Sequence, residues 1–250
     1  MATIEVKDLK KSFGTNAILD GVSFKIEKGE SVVIIGRSGG GKSVLLKHLI
    51  GLLSPDSGQV LIDGMNIVPM NERELLPVRR KFGMLFQGAA LFDSMTVEEN
   101  VGFAFRGDRA MPEAQVKEKV AEVLEMVDLP GTESKKPSEL SGGMRKRVGL
   151  ARAIIYKPQI VLYDEPTTGL DPIVSDSIDQ LIARVRDTLD VTSIVVTHDM
   201  RSARRLGQRI MMLHDKKIYV TGTAEQIFES KDPIVRRFID GVSERKAGFF

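Results

Sequence analysis

The 250-residue chain contains no cysteine. That excludes a disulfide framework, a thiolate nucleophile and a cysteine-ligated zinc, and it suits a reducing compartment. There is no excess of charge either, since 36 Lys and Arg against 34 Asp and Glu leave a net +2. Such a balance is too small for a long-range field to recruit nucleic acid or an anionic membrane, so no nucleic-acid partner is expected. No window approaches the roughly 18 uninterrupted apolar residues of a spanning helix. The opening residues Met1 to Gly14 interleave charge with apolar groups and lack a signal-peptide core. Internal repeats and low-complexity segments are also missing. A soluble, folded chain without a membrane segment is the expectation. What is present is ordinary in amount: 42% hydrophobic and 28% charged residues, the mixture of a globular protein of one or two domains with material for a core.

Ile4, Val6 and Leu9, then Val22, Phe24 and Ile26, alternate with polar residues and are broken by Gly21 and Gly29, the pattern of half-buried antiparallel strands. Val32-Val33-Ile34-Ile35 is continuous and apolar, ends in a glycine-rich loop, and gives way to Val44 to Leu53, apolar on nearly every side. This predicts a buried strand feeding a buried helix, the entry of an α/β unit. Further apolar runs, Ile160 to Tyr163 and Ile194 to Val196, flank Ile178, Leu181, Ile182, Val185 and Leu189 at helical spacing. Strand, helix, strand implies a parallel sheet. Between the halves, Val116, Val120, Val123, Leu124 and Val127 predict a helical insertion stopped by Pro130-Gly131, and Ile210 to Leu213 with Lys217 to Val220 predict a hairpin about His214-Asp215-Lys216.

Gly36-Arg37-Ser38-Gly39-Gly40-Gly41-Lys42-Ser43 matches the phosphate-loop pattern GxxxxGK[ST], between a predicted strand and a predicted helix. Glycines let successive backbone N–H groups face a triphosphate, Lys42 reaches the β and γ phosphates, and the Ser43 hydroxyl ligates Mg2+. ATP and Mg2+ are therefore the expected ligands. Asp164 and Glu165 follow the apolar strand Ile160 to Tyr163, and an acid at the carboxyl end of a parallel strand lies in the ligand crevice of an α/β sheet. Asp164 is the second candidate for Mg2+, and Glu165 is the candidate base for the attacking water. Leu140-Ser141-Gly142-Gly143-Met144 opens a helix with Met144, Val148, Ala151 and Ile155 on one face. There the Ser141 hydroxyl, the Gly142 and Gly143 amides and the helix start make a second anion-binding concavity.

The order of phosphate loop, Gln87, LSGGM, Asp164-Glu165, Gly169-Leu170-Asp171 and His198 resembles the nucleotide-binding subunit of ABC transporters over about residues 2 to 230. The resemblance implies a P-loop NTPase fold with a RecA-like, mostly parallel core, an N-terminal antiparallel β subdomain and a helical subdomain inserted at about 88–157. It implies one ATPase domain over 1–231 and a C-terminal extension over 232–250. It also implies a homodimer in which ATP lies between the phosphate loop of one copy and Ser141, Gly142 and Gly143 of the other. Asp171 then either crosses that interface or simply opens a helix with Pro172. By the same resemblance His198 contacts the γ-phosphate and holds Glu165 and the water, while Gln87 joins the core to the insertion and senses Mg2+. Phe13 either stacks under adenine or packs in the core. His48 and His214 match no motif and are left as structural.

Gln87 to Asn100, LSGGMRKRVGLARAI and LYDEPTTGLDPI are similar to ATPases of Mce/Mla-type phospholipid transport systems. That subfamily implies a separate integral permease, a lipid-binding Mce-type protein, phospholipid cargo, and a peripheral position on the cytoplasmic face of a Gram-negative inner membrane. An importer ATPase for a polar solute such as an amino acid shares every nucleotide-site residue. Leu91, Phe92 and Val97 are either core or contacts for a permease helix. The tail carries Val235, Phe238 and Ile239 at helical spacing and ends in Phe249-Phe250; it either docks on the neighbouring subunit or packs loosely. Arg201, Arg204, Arg205 and Arg209 read as a solvated helix face.

Overall fold

The computed structural model describes residues 2–106 and 111–242. β1 (Ala2–Phe13) and β2 (Asn16–Glu27) form an antiparallel ribbon, and β3 (Ser31–Ile35) runs into α1 (Lys42–Leu49). β4 (Ser57–Ile62) and β5 (Met65–Asn66) return to that ribbon, completing a four-stranded antiparallel sheet in the order β2-β1-β4-β5. After α2 (Glu72–Arg79) and β6 (Phe82–Leu85) come α3 (Val97–Gly102), α4 (Glu113–Met126) and α5 (Gly142–Ile154). The chain then alternates through β7 (Ile160–Asp164), α6 (Pro172–Leu189), β8 (Thr192–Thr197) and α7 (Met200–Leu206). The hairpin β9 (Arg209–His214) and β10 (Lys217–Thr223) precedes α8 (Ala224–Phe228) and α9 (Pro233–Ile239). The second sheet has the order β10-β9-β3-β8-β7-β6 and is parallel except for β10.

The apolar runs become strands because both faces of this sheet are covered. Val33 and Ile35 of β3, Val161 and Tyr163 of β7, and Val195 of β8 point into a core shared with α5, α6 and α7. Their neighbours Val32, Ile34, Ile160, Leu162, Ile194 and Val196 point the other way, into a core with α1 and the antiparallel sheet. Period-two alternation with apolar residues on both sides is what a doubly covered strand requires.

Several boundaries differ from the sequence reading. α1 stops at Leu49 rather than Leu53, because Gly51 turns left-handed at φ +64° and leaves Leu52 half-exposed. α4 ends at Met126, before Pro130, where Asp128 is left-handed at φ +57°. The hairpin turn is tight, with Asp215 and Lys216 both at positive φ, as the right-handed twist of its strands prefers. α9 packs on its own chain, Val235 being fully buried in the core with Phe238 and Ile239 against it; Phe249-Phe250 lie outside the described residues. Arg209 is not on a helix with Arg201, Arg204 and Arg205. It lies on β9 and forms a bidentate pair with Glu30 at 2.5 and 2.8 Å.

α6 and α7 are joined by a buried polar bridge. Ser202 donates to the Asp179 carboxylate at 2.7 Å and lies 3.5 Å from the Thr167 hydroxyl, while the second Asp179 oxygen is buried without a hydrogen-bond partner. Burial, opposed by the Ser202 bond, pushes Asp179 up to about 6. The folded chain then holds a proton that the unfolded chain has released above about pH 4, so stability falls as pH rises from about 4 through 6 and stays lower at neutrality. Asp179→Asn cannot ionise. Its stability relative to the parent, measured by urea unfolding, is expected to be about 2 kcal/mol more favourable at pH 8 than at pH 4. An equal difference at both pH values would remove this account.

Candidate active site

β3, β8, β7 and β6 are adjacent and end level, which is what gathers the predicted residues. Ile35 pairs with Thr197, Val196 with Asp164, and Tyr163 with Leu85. The segments leaving these strands, Gly36 to Lys42, His198, Glu165 and Gln87, therefore emerge along one edge of the sheet, the crevice where open α/β sheets take ligands. A cleft of about 440 Å³ lies there, lined among others by Phe13, Ser38, Gly39, Gly41, Lys42, Ser43, Gln87, Glu165 and His198. Gly36, Arg37 and Gly40 complete the loop, and Asp164 joins through Ser43. Ser141, Gly142, Gly143 and Asp171 do not line this cleft.

The loop needs glycine where the chain crowds it. A Cβ on Gly36 would lie 2.5 Å from the Leu213 carbonyl oxygen, and one on Gly41, at φ +96°, 2.9 Å from Ile18. Lys42 is buried, and its ammonium donates to the carbonyls of Gly36 at 2.8 Å and Arg37 at 3.1 Å. It also stands 3.3 Å from Oε1 of Glu165. The other Glu165 oxygen accepts from the Thr168 hydroxyl at 3.1 Å and lies 2.8 Å from His198 Nδ1. With Glu165 ionised, Nδ1 carries the hydrogen of that pair, which leaves Nε2 for a second contact. Glu165 itself is 7% exposed and left-handed at φ +49°, a backbone that non-glycine residues keep only where their surroundings hold it.

Ser43 donates to Asp164 Oδ1 at 2.7 Å. Burial raises the Asp164 carboxyl, Ser43 lowers it, and the neighbouring Glu165 charge raises it further. A hydroxyl and a carboxylate oxygen at this separation suit a small cation that takes oxygen donors and keeps positions for phosphate, so the pair fits Mg2+. No cluster of three His, Cys, Asp or Glu competes for that role among the described residues.

The remaining predicted residues have distinct settings. Phe13 is half-exposed, with Lys11 Nζ 5.6 Å from its ring centre, so it is not a core residue. Ser141 caps α5 by accepting from the Met144 amide, and Asp171 caps α6 by accepting from Ile173 and Val174. Ser141 and Asp171 are exposed. Val97 is fully buried and cannot meet a permease, whereas Phe92 is exposed, its ring centre 4.6 Å from that of Phe103 with the two rings tilted by 39°.

Sequence reasoning missed Thr168, which steadies Glu165, and Lys146, a buried cation of α5 that donates to the carbonyls of Gln87 and Glu165. A signal for Lys146 exists: Gly143, Lys146 and Leu150 fall at i, i+3 and i+7, placing a lysine in the buried stripe of the helix.

The ABC transporter family profile matches residues 19–168, more than half of the chain. This chain is an ABC transporter ATPase. As a member of that family it binds and hydrolyses ATP. The ABC ATPase is 45% identical to the probable ribonucleotide transport ATP-binding protein mkl of Mycobacterium leprae, over 95% of this chain and 69% of that one. It is 41% identical to the intermembrane phospholipid transport system ATP-binding protein MlaF of Haemophilus influenzae, over 98% of this chain and 93% of the relative. Among solved structures it resembles the dimeric post-hydrolysis state of the ATP-binding cassette MJ0796 bound to ADP and Pi, with a TM-score of 0.81 and 34% identity. That match covers 88% of this chain and 98% of the cassette. No helix among the described residues is long and apolar enough to cross a membrane.

Proposed function

We propose that this ABC ATPase powers phospholipid transport between the membranes of a Gram-negative envelope, two copies driving a separate permease from the cytoplasmic face of the inner membrane. The near end-to-end match with the phospholipid-transport ATPase of Haemophilus influenzae supports that cargo. The mycobacterial relative carries a ribonucleotide name, but the match spans only 69% of it. A lipid-binding Mce-type protein completes the complex. In this reading one ATPase domain spans 1–231, its helical subdomain is inserted at about 88–157, and 232–250 form an extension.

The observation that carries the mechanism is Glu165, held between Lys42, Thr168 and His198 at the bottom of the cleft. Gly36 to Ser43 bind the phosphates, Lys42 adds its charge, and Phe13 stacks on adenine, a contact worth roughly 1–3 kcal/mol. Glu165 takes the proton of the attacking water, and His198, oriented through Nδ1, presents Nε2 to the γ-phosphate. Mg2+ held by Ser43 and Asp164, with Gln87 beside them, would neutralise phosphate charge. Ser141, Gly142, Gly143 and Asp171 act in trans. Their absence from the chain's own cleft supports a composite site, which a two-fold dimer closes twice; the dimeric cassette it resembles supports the same assembly.

Ser141→Arg is expected to leave ATP binding to the isolated chain within about twofold and to lower turnover by at least about tenfold, or roughly 1.4 kcal/mol of barrier. Loss of nucleotide from the isolated chain would rule out action in trans. For the cargo, the tagged chain is extracted in mild detergent and the co-purifying membrane protein and lipids are identified. A permease accompanied by phospholipid is the expected result; one that binds a polar solute and no lipid would leave only the ATPase assignment standing.

A further inference from the structure

Lys146 is the charged residue that α5 buries, at 5% exposure. It makes no ion pair among the described residues, and its ammonium donates to two backbone carbonyls, those of Gln87 and, at 3.3 Å, Glu165. Burial pushes Lys146 below the ordinary lysine range, against the pull of the Asp164 and Glu165 carboxylates. Taking an ammonium out of water without a carboxylate partner is unfavourable. Methionine would fill the same space without that cost, so packing alone gives no reason for a lysine here.

The two carbonyls lie 59 and 19 residues away in sequence, on segments that line the ATP cleft from different strands. Both segments hold backbone that needs support. Glu165 is left-handed at φ +49°, and the loop after Gln87 carries Ala89 at +60° and Ala90 at +50°. Arg152, further along the same helix, donates to the carbonyls of Ala89 and Ala90 at 2.7 Å each. One helix thus grips both segments.

We propose that Lys146 is a positioning residue for ATP hydrolysis: anchored in α5, it holds the Gln87 and Glu165 backbones together so that both side chains address the same point of the cleft. This rests on the reading of Glu165 and Gln87 as working groups of the ATP site. α5 begins at the Ser141 cap, the part expected to meet the partner's ATP.

The test compares ATP turnover by the full-length chain, purified with the membrane protein that accompanies it, for wild type, Lys146→Met, Lys146→Arg and Glu165→Gln. Rates are expressed per chain that binds a fluorescent ATP analogue, so loss of folded protein does not count as loss of activity. Lys146→Met is expected to lower kcat at least about tenfold, about 1.4 kcal/mol, with KM for ATP within about twofold. Lys146→Arg, which keeps charge and donors, is expected to retain at least about a third of wild-type kcat. Lys146→Gln replaces the methionine variant, on the same criteria, if that variant does not fold. The proposal is overturned by a kcat within twofold of wild type, by equal losses in the methionine and arginine variants, by a loss confined to KM, or by failure of every uncharged variant to fold. Glu165→Gln separates the two readings. If it hydrolyses ATP within about tenfold of the wild-type rate, the role of Glu165 fails; if it falls about 100-fold or more while Lys146→Met matches wild type, only the role of Lys146 fails.

Discussion

Glu165→Gln is expected to bind ATP and stop turning it over. Glutamine has the same shape and can still accept from Thr168, so the surroundings that hold the left-handed backbone at this position remain. What it cannot do is take a proton. General base catalysis contributes about 10²–10⁴ in rate, so turnover should fall by that factor, a barrier increase of about 3–5 kcal/mol. Binding should be retained, because the substitution removes a buried negative charge from beside the triphosphate and frees Lys42 from its 3.3 Å pairing. With hydrolysis blocked, the ATP-bound dimer should accumulate and elute earlier on size exclusion than the wild type. A variant that hydrolyses within tenfold of the parent rate would show that another group removes the proton.

Lys42→Ala is expected to weaken ATP binding by about 10²–10³-fold, or roughly 3–4 kcal/mol. Truncating one member of a buried charge pair costs about 2–5 kcal/mol, much of it from the charge left behind, and here both the phosphates and Glu165 lose their cation. The carbonyls of Gly36 and Arg37 lose their donor as well. α1 keeps its buried Leu45, Leu46 and Leu49, so the chain should still fold. Equilibrium titration with a fluorescent ATP analogue measures the change. An affinity within tenfold of wild type would mean that the loop amides hold the phosphates without the lysine.

Much of this was legible in the chain because the signals are local. The phosphate loop is eight consecutive residues, two of its glycines, Gly36 and Gly41, are demanded by Leu213 and Ile18 pressing on the loop, and the strand before it announces itself as an apolar run. Asp164 and Glu165 could be placed at a strand end for the same reason. One helix end was less legible: Gly51 turns left-handed before Leu52 and Leu53, which the apolar pattern still included. The fate of exposed-looking apolar residues was not legible at all. Val97 and Val235 are fully buried in the core and Phe92 is not, and nothing in their spacing separates them.

The absences with which the sequence opens, no cysteine, no charge excess and no spanning run, bounded the chemistry, and its motifs assigned a nucleotide to one end of a parallel sheet. Sequence by itself determined which residue types meet phosphate, since that chemistry needs glycine, lysine and a hydroxyl in fixed order. Tertiary structure alone decided which groups steady them. Lys146 reaches the Gln87 and Glu165 carbonyls, 59 and 19 residues away, because strand order and helix placement bring them together, whereas Thr168 reaches Glu165 across the turn that follows β7. Backbone carbonyls carry no sequence signature, so a side chain that acts by holding them is visible only once the fold has brought them within reach.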